Sequence, residues 1–233
     1  MERVSTGIKG FDSLIEGGFP KGAAILLSGT PATGKTIFAL QYLVNGAKDF
    51  NENSLYITFE EKRESLKTQA KQFGWNLDEL EKKNKLIIRQ ISPNEISKNT
   101  IKEIIELAKE CDIKRIAIDS LSTLSINTPS TYMNVNEMNE YTIKRFIYSF
   151  VDELKQSDGI TSILISQSLN DEDLSRDDVS EFICDGIVHL TFESMGGQFS
   201  RSLLVRKMRR TKNDEDIHPL EIGKSGIVVH NIK

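Results

Sequence analysis

The stretch that most limits what this chain can become is an apolar run that breaks into a glycine-punctuated loop, Ile25-Leu-Leu-Ser-Gly-Thr-Pro-Ala-Thr-Gly-Lys-Thr36. Gly29, Gly34, Lys35 and Thr36 stand in G-x-x-x-x-G-K-T spacing, the pattern of a P-loop that binds a nucleoside triphosphate. Glycines let the backbone turn its N–H groups inward around phosphate oxygens, and the helix that follows adds its positive end. Thr30, Pro31, Ala32 and Thr33 fill the loop between the glycines. Lys35 is expected to reach the β- and γ-phosphates, and the Thr36 hydroxyl to ligate Mg²⁺. A strand-like run from Ala23 to Leu27 precedes the loop and a helix-like run from Thr36 to Ala47 follows it, as the motif requires.

The 233 residues, 38% hydrophobic and 27% charged, suffice for one α/β domain over 1–233, with residues 1–22 as a lead-in. Thirty Lys and Arg against 34 Asp and Glu give a net charge of −4, without the basic excess of a protein held mainly by nucleic-acid phosphates. Cys111 and Cys184 lie in or beside apolar segments and read as reduced core thiols. No apolar run approaches the ~20 residues that span a bilayer. Met1-Glu-Arg-Val-Ser lacks a signal peptide's apolar core, so the expected location is cytoplasmic.

Beyond the P-loop, Leu55-Tyr-Ile-Thr-Phe-Glu60-Glu61 is a β-rich run ended by two carboxylates. Ligands of open parallel sheets bind beyond the carboxyl ends of strands, so this pair is positioned to face the P-loop cleft. Neighbouring residues of an extended segment point oppositely, so one of the two faces the phosphate, and Glu60 is the preferred one. The alternative is a solvated strand end opening an amphipathic helix from Arg63 to Phe73. Gly74-Trp-Asn-Leu-Asp78 reads as a helix stop and a new cap, with Trp75 as packing. Lys85 to Ile91 reads as a strand and Thr100 to Cys111 as a helix. Arg115-Ile-Ala-Ile-Asp119 is a buried strand whose terminal acid suits the Walker B task of holding Mg²⁺ through water. Ser122 to Asn136 is polar and expected to be loop, Asn136 to Ser157 helix, and Ile160 to Gln167 another buried strand. Arg201 to Lys212 carries six basic residues and alternates like an antiparallel strand with one wet face, whereas Asp171 to Glu181 carries six acidic ones. Asp216 to His230 reads as a hairpin turning at Gly223 to Gly226.

S-T-G-I-x-G-F-D at Ser5 to Asp12, the E-G-G-F-P-x-G turn at Glu16 to Gly22 and G-T-P-A-T-G-K-T together resemble a KaiC-type ATPase domain of the RecA-like superfamily. Asp185-Gly-Ile-Val-His-Leu190 and the Lys207-Met-Arg209 segment extend the resemblance over about residues 4 to 232. It implies a RecA-like P-loop NTPase fold: a mainly parallel central sheet flanked by helices, with antiparallel strands at the C-terminal side. It also implies ATP and Mg²⁺ as ligands, ATP hydrolysis with a glutamate at Glu60 or Glu61 activating water, and Gln167 near the γ-phosphate. A loop-capping amide is the other reading of Gln167. In that family Lys207 and Arg209 would approach the nucleotide of a neighbouring subunit in a hexameric ring. A solvated basic strand or a nucleic-acid patch is the alternative for them.

Ala32 replaces a glycine common in the family's loop, a change expected to be tolerated because the position needs little bulk. Clock members phosphorylate an adjacent Ser/Thr pair before the D-x-I segment, but the aligned positions are Glu181 and Phe182, so no such autophosphorylation is expected. Two other functional classes fit the motifs. A nucleic-acid motor or recombinase would line a ring pore with Ser122 to Asn136 and Leu169 to Glu181, against which the acidity of the second loop argues. A nucleotide-gated signalling scaffold would turn ATP over slowly and present a surface to a protein partner.

Overall fold

Strand β3 (Ala24–Gly29) shows why the chain folds in three layers. All six of its residues are buried, with Ile25 and Leu27 packing into one apolar cluster and Ala24 and Leu26 into the other. A strand apolar on both sides must be covered on both sides. The computed structural model describes residues 1–129, 140–170, 173–193 and 200–232.

The other elements are β1 (Arg3–Val4), β2 (Phe19–Pro20), α1 (Lys35–Asp49), β4 (Asn53–Thr58), α2 (Arg63–Lys71), α3 (Leu77–Lys82), β5 (Leu86–Gln90), α4 (Thr100–Glu110), β6 (Ile113–Asp119), α5 (Leu121–Ile126), α6 (Glu140–Lys155), β7 (Thr161–Gln167), α7 (Ser180–Ile183), β8 (Gly186–Phe192), β9 (Arg201–Met208), β10 (Ile217–Gly223) and β11 (Gly226–Val229). The central sheet runs β11-β10-β9-β8-β3-β7-β6-β4-β5. From β8 to β5 every neighbouring pair is parallel, while β9, β10 and β11 add antiparallel strands at one side. This is the α/β architecture expected from the sequence, including the terminal hairpin and the strand assignments around Lys85, Arg115 and Ile160. Helix α1 covers one face with the lead-in and α3, and α4 and α6 cover the other.

One expectation is corrected. Ser122 to Ile126 are not loop but part of the helix α5, because the Ser120 side chain caps it by accepting from the Thr123 N–H at 3.3 Å and because Leu121 and Leu124 are fully buried. Residues 130–139 of the expected loop, and Asn136 to Asn139 of the expected helix, lie outside the described residues. Trp75 is buried as expected, the cap after Gly74 is Asn76, and both cysteines are free.

The lead-in is organised by one carboxylate. Asp12 accepts from Ser5 Oγ (2.6 Å), Thr6 Oγ1 (2.6 Å) and the backbone N–H groups of Thr6 and Gly7 (3.0 and 3.1 Å). That explains the S-T-G-x-x-x-x-D spacing: three consecutive residues wrap the acid that opens the short 3₁₀ turn Asp12–Ile15, which buries Leu14 and Ile15. Asp12→Ala strips the acceptor from these donors and is expected to lower unfolding free energy by about 2 kcal/mol or more in urea titration. An unchanged midpoint would show that the lead-in is held by its apolar residues alone.

Candidate functional site

The loop between β3 and α1 has the backbone that its glycines predict. At Gly29 (φ +149°) an added Cβ would stand 2.3 Å from the Leu190 carbonyl oxygen of β8, and Gly34 (φ +105°) caps α1 in a left-handed conformation. Ala32 is also left-handed, with φ +67°. That conformation favours glycine, and the Cβ of Ala32 costs about 1–2 kcal/mol there.

Lys35 is buried and its ammonium donates to the carbonyls of Gly29 (2.6 Å) and Thr30 (2.7 Å). Burial lowers its pKa to about 8, and nearby Asp119 opposes the shift. Thr36 Oγ1 donates to Asp119 Oδ2 at 2.9 Å, and Tyr56 Oη donates to the same oxygen at 2.7 Å. Burial pushes the Asp119 carboxyl above its ordinary range, while those two hydrogen bonds pull it back. Thr36 and Asp119, from opposite sides of β7 in the sheet order, thus meet as a hydroxyl and a carboxylate, the hard oxygen donors that Mg²⁺ requires.

A cavity of about 320 Å³ opens over this loop, lined by Pro31, Ala32, Gly34, Lys35, Thr36, Asp119 and Gln167 among the residues expected from the sequence, together with Gln69, Ile222 and Arg201. Glu60 and Glu61 follow β4 at the same edge but do not line it. Their side chains diverge as expected: Glu60 accepts from Thr123 Oγ1 of α5, whereas Glu61 Oε1 accepts from Ser65 Oγ of α2 at 2.6 Å.

Sheet topology separates the basic residues of β9. Arg201 pairs with Phe192 at the carboxyl end of β8, while Lys207 pairs with Ile187 near its start. An antiparallel β9 therefore brings its first residue, not its last, to the P-loop edge, with Lys207 about 20 Å further along the strand. Arg201 donates to the Ala32 carbonyl through Nε (3.2 Å) and Nη2 (3.1 Å), and its guanidinium lies over the Phe192 ring. Lys207 donates to the carbonyls of Glu181 and Cys184, and Arg209 to the Phe182 carbonyl and Asp185. Sequence reasoning grouped Arg201 with the other cations of the segment; the signal that separates it is strand direction.

The loop, the Walker-type acid and the strand order define a P-loop nucleotide-binding domain of the RecA-like class. A family profile described as "ATPase: KaiC" matches residues 4–233. The chain is 34% identical over 247 residues to UPF0273 protein MJ1359 of Methanocaldococcus jannaschii, covering 99% of this chain and 97% of that one. It is 30% identical over 239 residues to the circadian clock oscillator protein KaiC of Parasynechococcus marenigrum, covering 98% of this chain but 45% of the clock protein. The crystal structure of the KaiC-like protein PH0186 from Pyrococcus horikoshii OT3 superposes with a TM-score of 0.85 at 33% identity, over 99% of both chains. The chain belongs to the KaiC family of ATPases.

Arg201 is an unexpected cation at the loop's mouth, and its partner there is a neutral carbonyl that a phosphate outcompetes. Arg201→Ala is expected to weaken ATP binding about three- to tenfold by calorimetry, the scale of one partly exposed ionic contact. Equal affinities would limit Arg201 to holding Ala32.

Proposed function

We propose that this chain binds MgATP at Gly29 to Thr36 and hydrolyses it, with the active site completed by a neighbouring copy in a ring. The observation that carries this reading is the convergence of Lys35, Thr36 and Asp119 beneath one cavity, with Glu60 and Glu61 at the end of the adjoining strand. The backbone N–H groups of the loop and Lys35 would cradle the phosphates, and Gln167 would stand near the γ-phosphate. Thr36 would ligate Mg²⁺, with Asp119 holding it through water. Mg²⁺ supplies charge neutralisation on the phosphates. Glu60 orients or deprotonates the attacking water, its carboxylate held meanwhile by Thr123.

Lys207 and Arg209 are too far along β9 to serve their own P-loop, which leaves a head-to-tail neighbour as their target. Contacts of that heterologous kind close into rings, and the family resemblance favours six subunits. Two acids of the segment Asp171 to Glu181 are engaged within the chain: Asp177 accepts from the N–H groups of Val179 and Ser180 and from the Ser180 hydroxyl, and Glu181 accepts from Ser175. Ser180, the single hydroxyl between Val179 and Ile187, is fully buried, which accords with an ATPase without clock-type autophosphorylation. A nucleic-acid motor is not favoured, given the net charge of −4.

Glu60→Gln preserves size and hydrogen bonding, so it is expected to bind ATP like the parent and to hydrolyse it ~10²-fold more slowly in single-turnover assays. Loss of turnover in Glu61→Gln instead would transfer the role to Glu61. The shared site is tested by mixing: Lys35→Ala chains and Lys207→Ala/Arg209→Ala chains are each expected to be nearly inactive, and mixed assemblies to regain part of the activity. A fully active monomer, or no recovery in verified mixed assemblies, would overturn the ring.

A further inference from the structure

The register of the sheet places a tyrosine hydroxyl beside the Walker-type acid. Tyr56 of β4 pairs with Ala117 of β6, and Thr58 pairs with Asp119. Tyr56 and Asp119 are therefore diagonal neighbours on one face, a separation that an aromatic side chain spans. The residue directly opposite Tyr56 is an alanine, fully buried, which leaves room for the ring to lie along β6 toward Asp119. The ring belongs to the cluster beneath α1, so its position is fixed by packing, and its hydroxyl reaches Asp119 Oδ2 at 2.7 Å.

Thr36 Oγ1 donates to that same oxygen at 2.9 Å. Two donors on Oδ2 fix the rotation of the carboxylate, and among the described residues no donor reaches Oδ1. The Thr36 hydrogen is directed to Asp119, which turns the lone pairs of its oxygen outward. Removing the Tyr56 hydroxyl leaves one donor and frees the carboxylate to rotate about its Cβ–Cγ bond.

We propose that Tyr56 is a positioning residue for the metal: its hydroxyl clamps Oδ2 of Asp119, so that Oδ1 is presented to metal-bound water and the Thr36 oxygen to the ion. Tyr56 touches neither nucleotide nor metal and acts through Asp119. The inference rests on the MgATP reading of the site.

Tyr56→Phe keeps the ring and deletes the hydroxyl. Partners in a metal's outer shell typically alter affinity 10- to 100-fold, so the half-saturating Mn²⁺ concentration, read by electron paramagnetic resonance with ATP present, is expected to rise at least about tenfold. The variant is expected to stay folded, and its ATP affinity in EDTA to stay near that of the parent. In an Asp119→Ala background the same substitution is expected to change Mn²⁺ dependence less than about twofold, because the group it acts through is gone. Unchanged Mn²⁺ dependence in folded Tyr56→Phe would overturn the proposal. So would an equal effect in both backgrounds, or a matching loss of ATP affinity in EDTA, which marks a merely structural role. Failure of the underlying reading is distinguishable, since the parent itself would then bind no ATP.

Discussion

A single carboxylate oxygen holds the P-loop edge of this domain together. Asp119 Oδ2 receives one hydrogen bond from the first turn of α1 and one from β4, while its own strand, β6, lies between β4 and β7. The P-loop strand β3 is on the far side of β7. The hydrogen bond from Thr36 therefore bridges over a whole strand, and the one from Tyr56 closes the other flank. Both donors are neutral hydroxyls, and a hydrogen bond to a charged group contributes about 1.5–3 kcal/mol, so losing either one loosens this edge while the other still holds it. The residues named for nucleotide chemistry thus also fix how α1 sits on the sheet, so the stability of this edge and the geometry of the site have one source.

The cations of the P-loop and of the β9 segment share a second property. Lys35, Arg201 and Lys207 rest against backbone carbonyls of their own chain, whereas Arg209 adds the Asp185 carboxylate to the Phe182 carbonyl. A neutral carbonyl satisfies a buried or half-buried donor, which avoids the cost of leaving it unpaired, yet binds a cation more weakly than a phosphate does. A donor held only by carbonyls therefore has a stronger partner to gain in an anion. For Lys35 a phosphate beside the ammonium would also offset burial, the cause that lowers its pKa, because an opposite charge favours the charged form.

Much of this was legible in the sequence for plain reasons. Strands buried on both faces are continuous apolar runs, so β3, β6 and β7 could be placed from composition alone, and the polar residues that end them, Gly29, Asp119 and Gln167, marked one edge of the sheet. Helix α5 was not legible because its small polar residues look solvated. Ser122, Thr123 and Ser125 are in fact buried, and their hydroxyls find partners on Ser166, Glu60 and the Ser122 carbonyl. Those partners come from distant strands and from the helix itself, which no local pattern reports. Tyr56 was hidden similarly: in sequence it is one aromatic of a β-rich run, and its relation to Asp119 exists only once β4 and β6 are in register. The left-handed conformation of Ala32 is likewise a fact of loop closure.

Strand direction carries the argument from the single domain to the proposed assembly. Because β9 runs against β8, a strand with cations at both ends delivers one to its own P-loop and holds the others at the opposite edge of the sheet. No rotation of side chains can cancel a separation of about 20 Å along a strand. If Lys207 and Arg209 act on a P-loop nucleotide, that nucleotide is held by another copy, and the patch that supplies the cations differs from the patch that receives them. An interface between unlike patches is directional, so every subunit gives to one neighbour and takes from the other. The same antiparallel strand would then build both halves of the cationic site, Arg201 from within and Lys207 with Arg209 from next door, and hydrolysis would report on whether the neighbour is in place.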